Sequence, residues 1–311
     1  MFNVVITDTN LGDGSHEREV LEPEFSVAKH DVTTEAEVIE AAAEADGLLV
    51  QWAPITDDVL GALPRLKAVV RYGIGLDNID LDAAARRGVV VSNVDDYCLA
   101  EVADHAAASI YAHNRRLTAG SRNLAAAGWT TAGISQPPPP GRDPVGIAGF
   151  GRIGRALADR VAALGFPVHI WDPFLTESPG GVTVWPTLLE LAEAVGHLSL
   201  HMPSTAETAG VVDATILAAL GREGHLVNTA RGALVDETAL LAALDAGTLG
   251  FASLDVLCSE PPTGVSAKLA EHARALVTPH IAYLSTDSLP QLRVRAAQIL
   301  ADLLRAHGGR A

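Results

Sequence analysis

Val145–Gly154 reads VGIAGFGRIG, and these ten residues decide the fold. An apolar run of strand length leads into Gly149, Gly151 and Gly154, spaced G-x-G-x-x-G, and a segment of helical periodicity follows. In such a strand–turn–helix the first glycine permits the tight turn and the second lets the backbone approach a pyrophosphate. The third lets the helix pack against the strand. The helix start offers unpaired N–H groups, here those of Arg152 and Ile153, to a phosphate anion. The next strand is expected to end at Asp172, eighteen residues past Gly154. A carboxylate there accepts both ribose hydroxyls and repels a 2′-phosphate. No Arg or Lys occurs in the six residues after Asp172, so NAD is expected over NADP.

The same alternation extends in both directions. Beyond Gly154, strands are expected at Val168–Asp172, His197–His201, His225–Asn228, Gly250–Asp255 and Leu276–Thr278, with helices between them. Before it, strands are expected at Val4–Thr7, Gly47–Val50, Lys67–Arg71 and Val89–Val91. A helix opens at the capping box Thr34/Glu37, and another, Leu81–Arg87, stops at Gly88. Leu99–Leu117, alanine-rich and free of Pro and Gly, reads as one long helix, and Ser135–Pro144 (SQPPPPGRDP) as an exposed connection. A last helix is expected over Thr286–Ala306. Short buried strands alternating with helices argue for parallel sheets covered on both faces.

At 311 residues the chain suits two domains, and 48% hydrophobic against 19% charged residues describes a folded protein with large cores. The formal charge of −16 argues against nucleic acid and anionic lipid as partners. MFNVVITDTN opens directly on a strand-like run, and no apolar stretch reaches the length of a membrane span. The cytoplasm is the expected location. Cys98 and Cys258 are too few for a disulfide framework and are expected as buried fillers; no Cys/His spacing suits a metal.

Three ionisable residues follow the glycine motif in the order Arg, Glu, His. Arg231 lies in VNTARGALVD, Glu260 in SLDVLCSEPP and His280 in VTPHIAYLS, each after a strand end, where open α/β sheets bind ligands. Arg231 suits a carboxylate, which it can grip bidentately without losing its charge. His280 suits proton exchange with a carbonyl or hydroxyl oxygen, and Glu260 bonded to it favours the imidazolium. Glycines at 73 and 75 let the backbone N–H groups of Ile74 and Gly75 approach the carboxylate's other oxygen. Trp52, Tyr72 and Tyr283 are candidate pocket walls or ordinary packing groups. His201 is either a cofactor contact or a strand-end residue, and His105 reads as a packing or interface group.

With these motifs in hand, the sequence resembles the D-2-hydroxyacid dehydrogenase family. RYGIGLDNID (Arg71–Asp80) is similar to its substrate loop, VGIAGFGRIG to its cofactor loop, and NTARG, LDV…EPP and TPHIA to its Arg, Glu and His motifs. NVDDYCLAEVADH (Asn93–His105) and Tyr283–Ser285 lean toward the branch that holds the C-terminal-binding proteins, beside the phosphoglycerate dehydrogenases. The resemblance implies two doubly wound α/β domains. A Rossmann cofactor domain over 98–283 is inserted in a smaller, flavodoxin-like substrate domain made of 1–97 and 284–311. It implies a hinge near 98 and 284, a homodimer through the region 99–117, and Asp255, Thr229 and Ala230 beside the nicotinamide and its ribose. The implied activity is NAD-dependent interconversion of a 2-keto and a D-2-hydroxy acid; the rival is an NAD(H)-gated protein-interaction module. Three departures stand out: PPPPGRDP replaces the family's usual entry to the first cofactor strand, Asp95 replaces Pro in N-V-P, and Leu257 replaces Phe in D-V-F.

Overall fold

Gly47–Val50 (GLLV), Ala68–Arg71 (AVVR) and Val145–Ala148 (VGIA) are buried at every position. A strand with no wet face belongs inside a parallel sheet covered by helices on both sides. The computed structural model, which describes residues 1–175, 177 and 179–308, contains two such sheets, one in each of two units. The first unit joins Met1–Cys98 to Leu284–Ala311, of which 309–311 lie outside the described residues. The second is the continuous stretch Leu99–Tyr283.

In the first unit, β1 (Phe2–Ile6), β2 (Phe25–Lys29), β3 (Gly47–Val50), β4 (Ala68–Arg71) and β5 (Val90–Asn93) form an all-parallel sheet. Its order, β2-β1-β3-β4-β5, is the flavodoxin-like one. The returning helix Ser288–Gly308 covers one face with Leu292, Ala296, Leu300 and Leu304, spaced four apart on one stripe. They pack on Val4, Ile6, Leu49 and Val70, and each buried Leu contributes about 1.5–3 kcal/mol. The same helix carries Arg293, whose Nη2 lies 2.8 Å from Oε2 of the wholly buried Glu17.

In the second unit, β6 (Val145–Ala148), β7 (Val168–Trp171), β8 (Thr183–Val184), β9 (His197–Leu200), β10 (His225–Asn228), β11 (Phe251–Leu254) and β12 (Ala275–Val277) are again all parallel. Their order is β12-β11-β10-β9-β6-β7-β8, so the direction of winding reverses between β6 and β9. That switch point is where an open α/β sheet leaves a crevice for a ligand, outside the carboxyl ends of its strands. Ala148 is in register with Trp171 and Leu200, so Gly149, Asp172 and His201 leave three adjacent strands side by side.

The single helix expected over Leu99–Leu117 is two helices, Leu99–Asn114 and Leu117–Ala127. The side-chain amide of the buried Asn114 donates to the Pro138 carbonyl at 3.2 Å and to Asp143 Oδ2 at 2.6 Å, which anchors the helix end. Arg116 then turns the chain in the left-handed conformation, φ 57° and ψ 26°. Alanine content reports only local preference; here a tertiary anchor stops the helix. Among the described residues, no helix is long and apolar enough to cross a membrane.

Candidate active site

The three glycines of the crevice do three different jobs. Gly149 has φ 93°, and a Cβ there would stand 2.8 Å from the His201 carbonyl oxygen. A Cβ on Gly154 would land on the Gly149 carbonyl oxygen, so the helix Arg152–Ala163 can close on β6 only with glycine at 154. At Gly151 a Cβ would meet nothing within 4 Å. The space above it is open, and the helix begins there without a side-chain cap, leaving the N–H groups of its first turn available to an anion. Asp172 Oδ2 accepts the Phe150 N–H at 2.8 Å and Oδ1 the Phe174 N–H at 2.9 Å. Each oxygen keeps a second lone pair, enough for the two hydroxyls of a ribose. Beside it a cavity of about 570 Å³ is walled by Trp171, Pro173, Leu175, Val184 and Trp185, a size and lining suited to a flat base. These residues fit a dinucleotide carrying a free 2′-hydroxyl.

His280 follows β12 at φ 52°, a conformation rare outside glycine, so its turn must be held from outside. Asp255, 3% exposed, holds it. Its Oδ1 accepts from the Thr278 hydroxyl at 2.5 Å and the Ile281 N–H at 2.9 Å, and its Oδ2 from the Ala282 N–H at 2.8 Å. Its carbonyl takes the His280 N–H at 2.9 Å. His280 Nδ1 then lies 2.7 Å from Glu260 Oε2, while Glu260 Oε1 accepts the Leu257 N–H at 3.0 Å. Burial pushes the Glu260 carboxyl up, but His280, the Leu257 N–H and the charge of Arg231 outweigh it and hold the group below its ordinary value. Nδ1 of His280 is thereby committed to the carboxylate, which fixes the orientation of the ring.

Arg231 follows β10. Asn228 shapes its turn, accepting the Ala230 N–H at 3.0 Å and donating to the Arg231 carbonyl at 2.8 Å. A Cβ on Gly232 would collide with the backbone of Leu257 and Cys258, so only glycine lets the Arg231 turn sit on the loop that carries Glu260. Arg231, Glu260 and His280 are thereby gathered at the carboxyl ends of β10, β11 and β12. Asn228 and Gly232 escaped sequence reasoning, although both lie in or beside the Arg motif.

His201 is half-buried, its Nε2 2.8 Å from Ser199 Oγ, and burial pulls it down to about 4, so the ring is neutral near pH 7. Thr229 and Ala230 are half-buried, and the Thr229 hydroxyl is buried without a partner. Tyr283 meets the His280 ring edge-on, with centroids 6.0 Å apart. In the first unit Trp52 is 50% exposed, its ring lies 5.3 Å from the Arg71 guanidinium, and its backbone N–H donates to Asp8 Oδ2 at 2.6 Å. Gly73 has φ 121°, and the Ile74 carbonyl accepts from Asn93; Ile74 and Gly75 are half-buried. Tyr72 is no pocket wall: its ring lies in the core, 2% exposed, and its hydroxyl donates to Glu17 at 2.9 Å. Cys98 is buried as expected, whereas Cys258 is exposed. Partial burial of its sulfur and the neighbouring Glu237 push that thiol up to about 11, which keeps it protonated and unreactive.

Residues 107–282 match the family model described as D-isomer specific 2-hydroxyacid dehydrogenase, NAD binding domain. The chain is 37% identical over 285 residues to the D-3-phosphoglycerate dehydrogenase of Mycobacterium tuberculosis, covering 88% of this chain and 53% of that protein. It is 34% identical over 309 residues to the D-3-phosphoglycerate dehydrogenase of Bacillus subtilis, covering 98% and 57%. The chain thus spans about half the length of these curated relatives. The D-lactate dehydrogenase of Aquifex aeolicus, solved with NAD and lactic acid, superposes with a TM-score of 0.89 at 26% identity, over 98% of this chain and 96% of that one. With its NAD-binding domain matched and a relative similar along almost its whole length, this chain belongs to the D-isomer specific 2-hydroxyacid dehydrogenase family.

Proposed function

We propose that the protein is a D-2-hydroxyacid dehydrogenase that interconverts a small 2-keto acid and its D-2-hydroxy acid with NAD(H). The observation that carries this reading is the 2.7 Å bond between His280 and Glu260, with Arg231 seated on the same loop beside a dinucleotide cradle. When bound, NADH supplies the hydride that the keto carbon receives. Arg231 pairs with the substrate carboxylate and fixes which face of that carbon is presented. His280 gives the Nε2 proton to the carbonyl oxygen as the hydride arrives, and takes it back in the oxidative direction. Glu260 holds the ring in the tautomer and charge state that make this donation possible. Asp255 acts through the turn, and His201, Thr229 and Ala230 serve the cofactor side. In the first unit Trp52 and the backbone of Gly73–Gly75 serve substrate recognition. The protein works in the cytoplasm as a homodimer paired through the region 99–117.

The test is NADH oxidation by the purified protein across 2-keto acids, including glyoxylate, hydroxypyruvate, its 3-phosphate, phenylpyruvate and oxaloacetate, repeated with His280→Ala. Turnover with at least one acid is expected to fall about 10²–10⁴-fold in the variant while NADH binding is retained. Undiminished turnover in His280→Ala would sink the assignment. Tight NADH binding without turnover on any acid would point instead to a cofactor-gated interaction module.

A further inference from the structure

The basic residues of this acidic chain are unevenly spread. Its formal charge is −16, yet four guanidinium groups, Arg116, Arg122, Arg222 and Arg274, line one cavity of about 480 Å³ in the second unit. A single carboxylate shares it, Glu223, 3.5 Å from Arg116 Nη2. Arg122 and Arg274 are held by neutral acceptors, which position a charge without cancelling it. Arg122 donates to the carbonyls of Ala273 and Ala275, and Arg274 to that of Leu244. Arg116 Nη1 lies 3.1 Å from His113 Nε2, and burial together with His197 and Arg116 drives His113 down to about 3, so that ring stays neutral. The Nε of Arg116 is buried with no partner, and among the described residues Arg222 makes no ion pair or hydrogen bond.

Four like charges around one concave space repel one another and concentrate counter-ions there. The guanidinium fork matches the paired oxygens of carboxylate and phosphate. Thr118 and Ala119 bring the start of the helix Leu117–Ala127, which lacks a side-chain cap, to the same wall and add to the positive field. This cavity is not the catalytic crevice. It adjoins the amino ends of β10 and β11, through His113 stacked 4.3 Å from His225 and through Phe251, whereas Arg231 and Asp255 follow their carboxyl ends. A four-residue strand separates the two ends by roughly 13 Å.

We infer that the cavity, whose wall includes Ala112, His113 and Arg116 of the segment proposed to pair two copies, is a binding site beside that interface for a compact, multiply charged oxyanion, phosphoryl or polycarboxylate, distinct from the site of hydride transfer. The experiment is calorimetric titration and thermal melting of the full chain, saturated with NADH to fill the phosphate cradle, with pyrophosphate or citrate against chloride at matched ionic strength. Wild-type protein is expected to bind one of the two and melt at higher temperature with it. The preferred anion identifies the phosphoryl or the carboxylate class. Arg222→Ser and Arg274→Ser should each weaken binding about tenfold or more, and Arg231→Gln should leave it intact. Without anion, Arg222→Ser should melt no lower than wild type, since it removes repulsion. Equal anion response in wild type and Arg222→Ser, loss of the response in Arg231→Gln, or no response in wild type overturns the proposal.

Discussion

Gly151 and Gly154 are three positions apart in one motif, yet the structure separates what each contributes. Gly151→Ala places a methyl in open space, at a φ of −74° that alanine accepts. Its expected outcome is unchanged stability and an NADH affinity reduced about tenfold or more, measured by fluorescence titration. Gly154→Ala drives a methyl into the Gly149 carbonyl, so it should cost about 1–3 kcal/mol in urea unfolding before any question of binding arises. Glu260 yields a prediction about pH. Its carboxyl is held below the ordinary 4.5, so the folded state gains from its ionised form above that value and loses the gain as pH falls through the lowered one. The stability gap between wild type and Glu260→Gln should therefore be present at pH 7 and close below pH 4.5. At this scale the motifs were readable because their side chains are named by chemistry. Tyr72 stayed open between pocket wall and packing group because its neighbours in sequence are loop glycines, while its hydroxyl partner, Glu17, lies 55 residues away.

The turn that carries His280 is an element built around one carboxylate. Asp255→Asn replaces acceptors with a group that cannot serve the Thr278 hydroxyl and the N–H groups of Ile281 and Ala282 together. Each N–H left orphaned costs about 1–3 kcal/mol, and kcat should fall with stability as the left-handed turn relaxes. A variant with full stability and lowered kcat would instead assign Asp255 a direct part in the reaction. Among helices, the capping box Thr34/Glu37 was legible and is formed, with the Thr34 N–H donating to Glu37 Oε2 at 3.0 Å. The break at Arg116 was illegible, because the group that stops the helix, Asp143, lies 29 residues beyond Asn114. Strand β2 was missed for a related reason: at the sheet edge FSVAK is half exposed, so its apolar pattern is faint.

For the whole molecule, charge and burial combine in one pH response. His113, His201 and His225 are all held below their ordinary 6.5, chiefly by burial, the first two to about 3 and about 4. An unfolded chain takes up their protons below pH 6.5 and the folded one does not, so stability falls as pH drops through that range. Each contributes about 1.4 kcal/mol per pH unit, and His113→Gln should lower the measured slope by roughly one proton. The division into units at 98 and 284 was foreshadowed by the family resemblance of the motifs. The basic cavity was not, since its arginines at 116, 122, 222 and 274 converge only through the fold.

The buried pair of Glu17 and Arg293 spans 276 residues of chain. On a ribosome moving at roughly 5–20 residues per second, Glu17 waits on the order of 15–55 s for its cation. Through that interval the face of the first sheet around Val4 and Ile6 also lacks Leu292, Leu300 and Leu304. The continuous stretch 99–283 has its own strands complete before the last helix is made. Nascent chains arrested after residue 283 should protect the second unit from protease while the first is still digested. The order of maturation is thus the reverse of the order of synthesis, and a chaperone that shields this protein has residues 1–98 to guard.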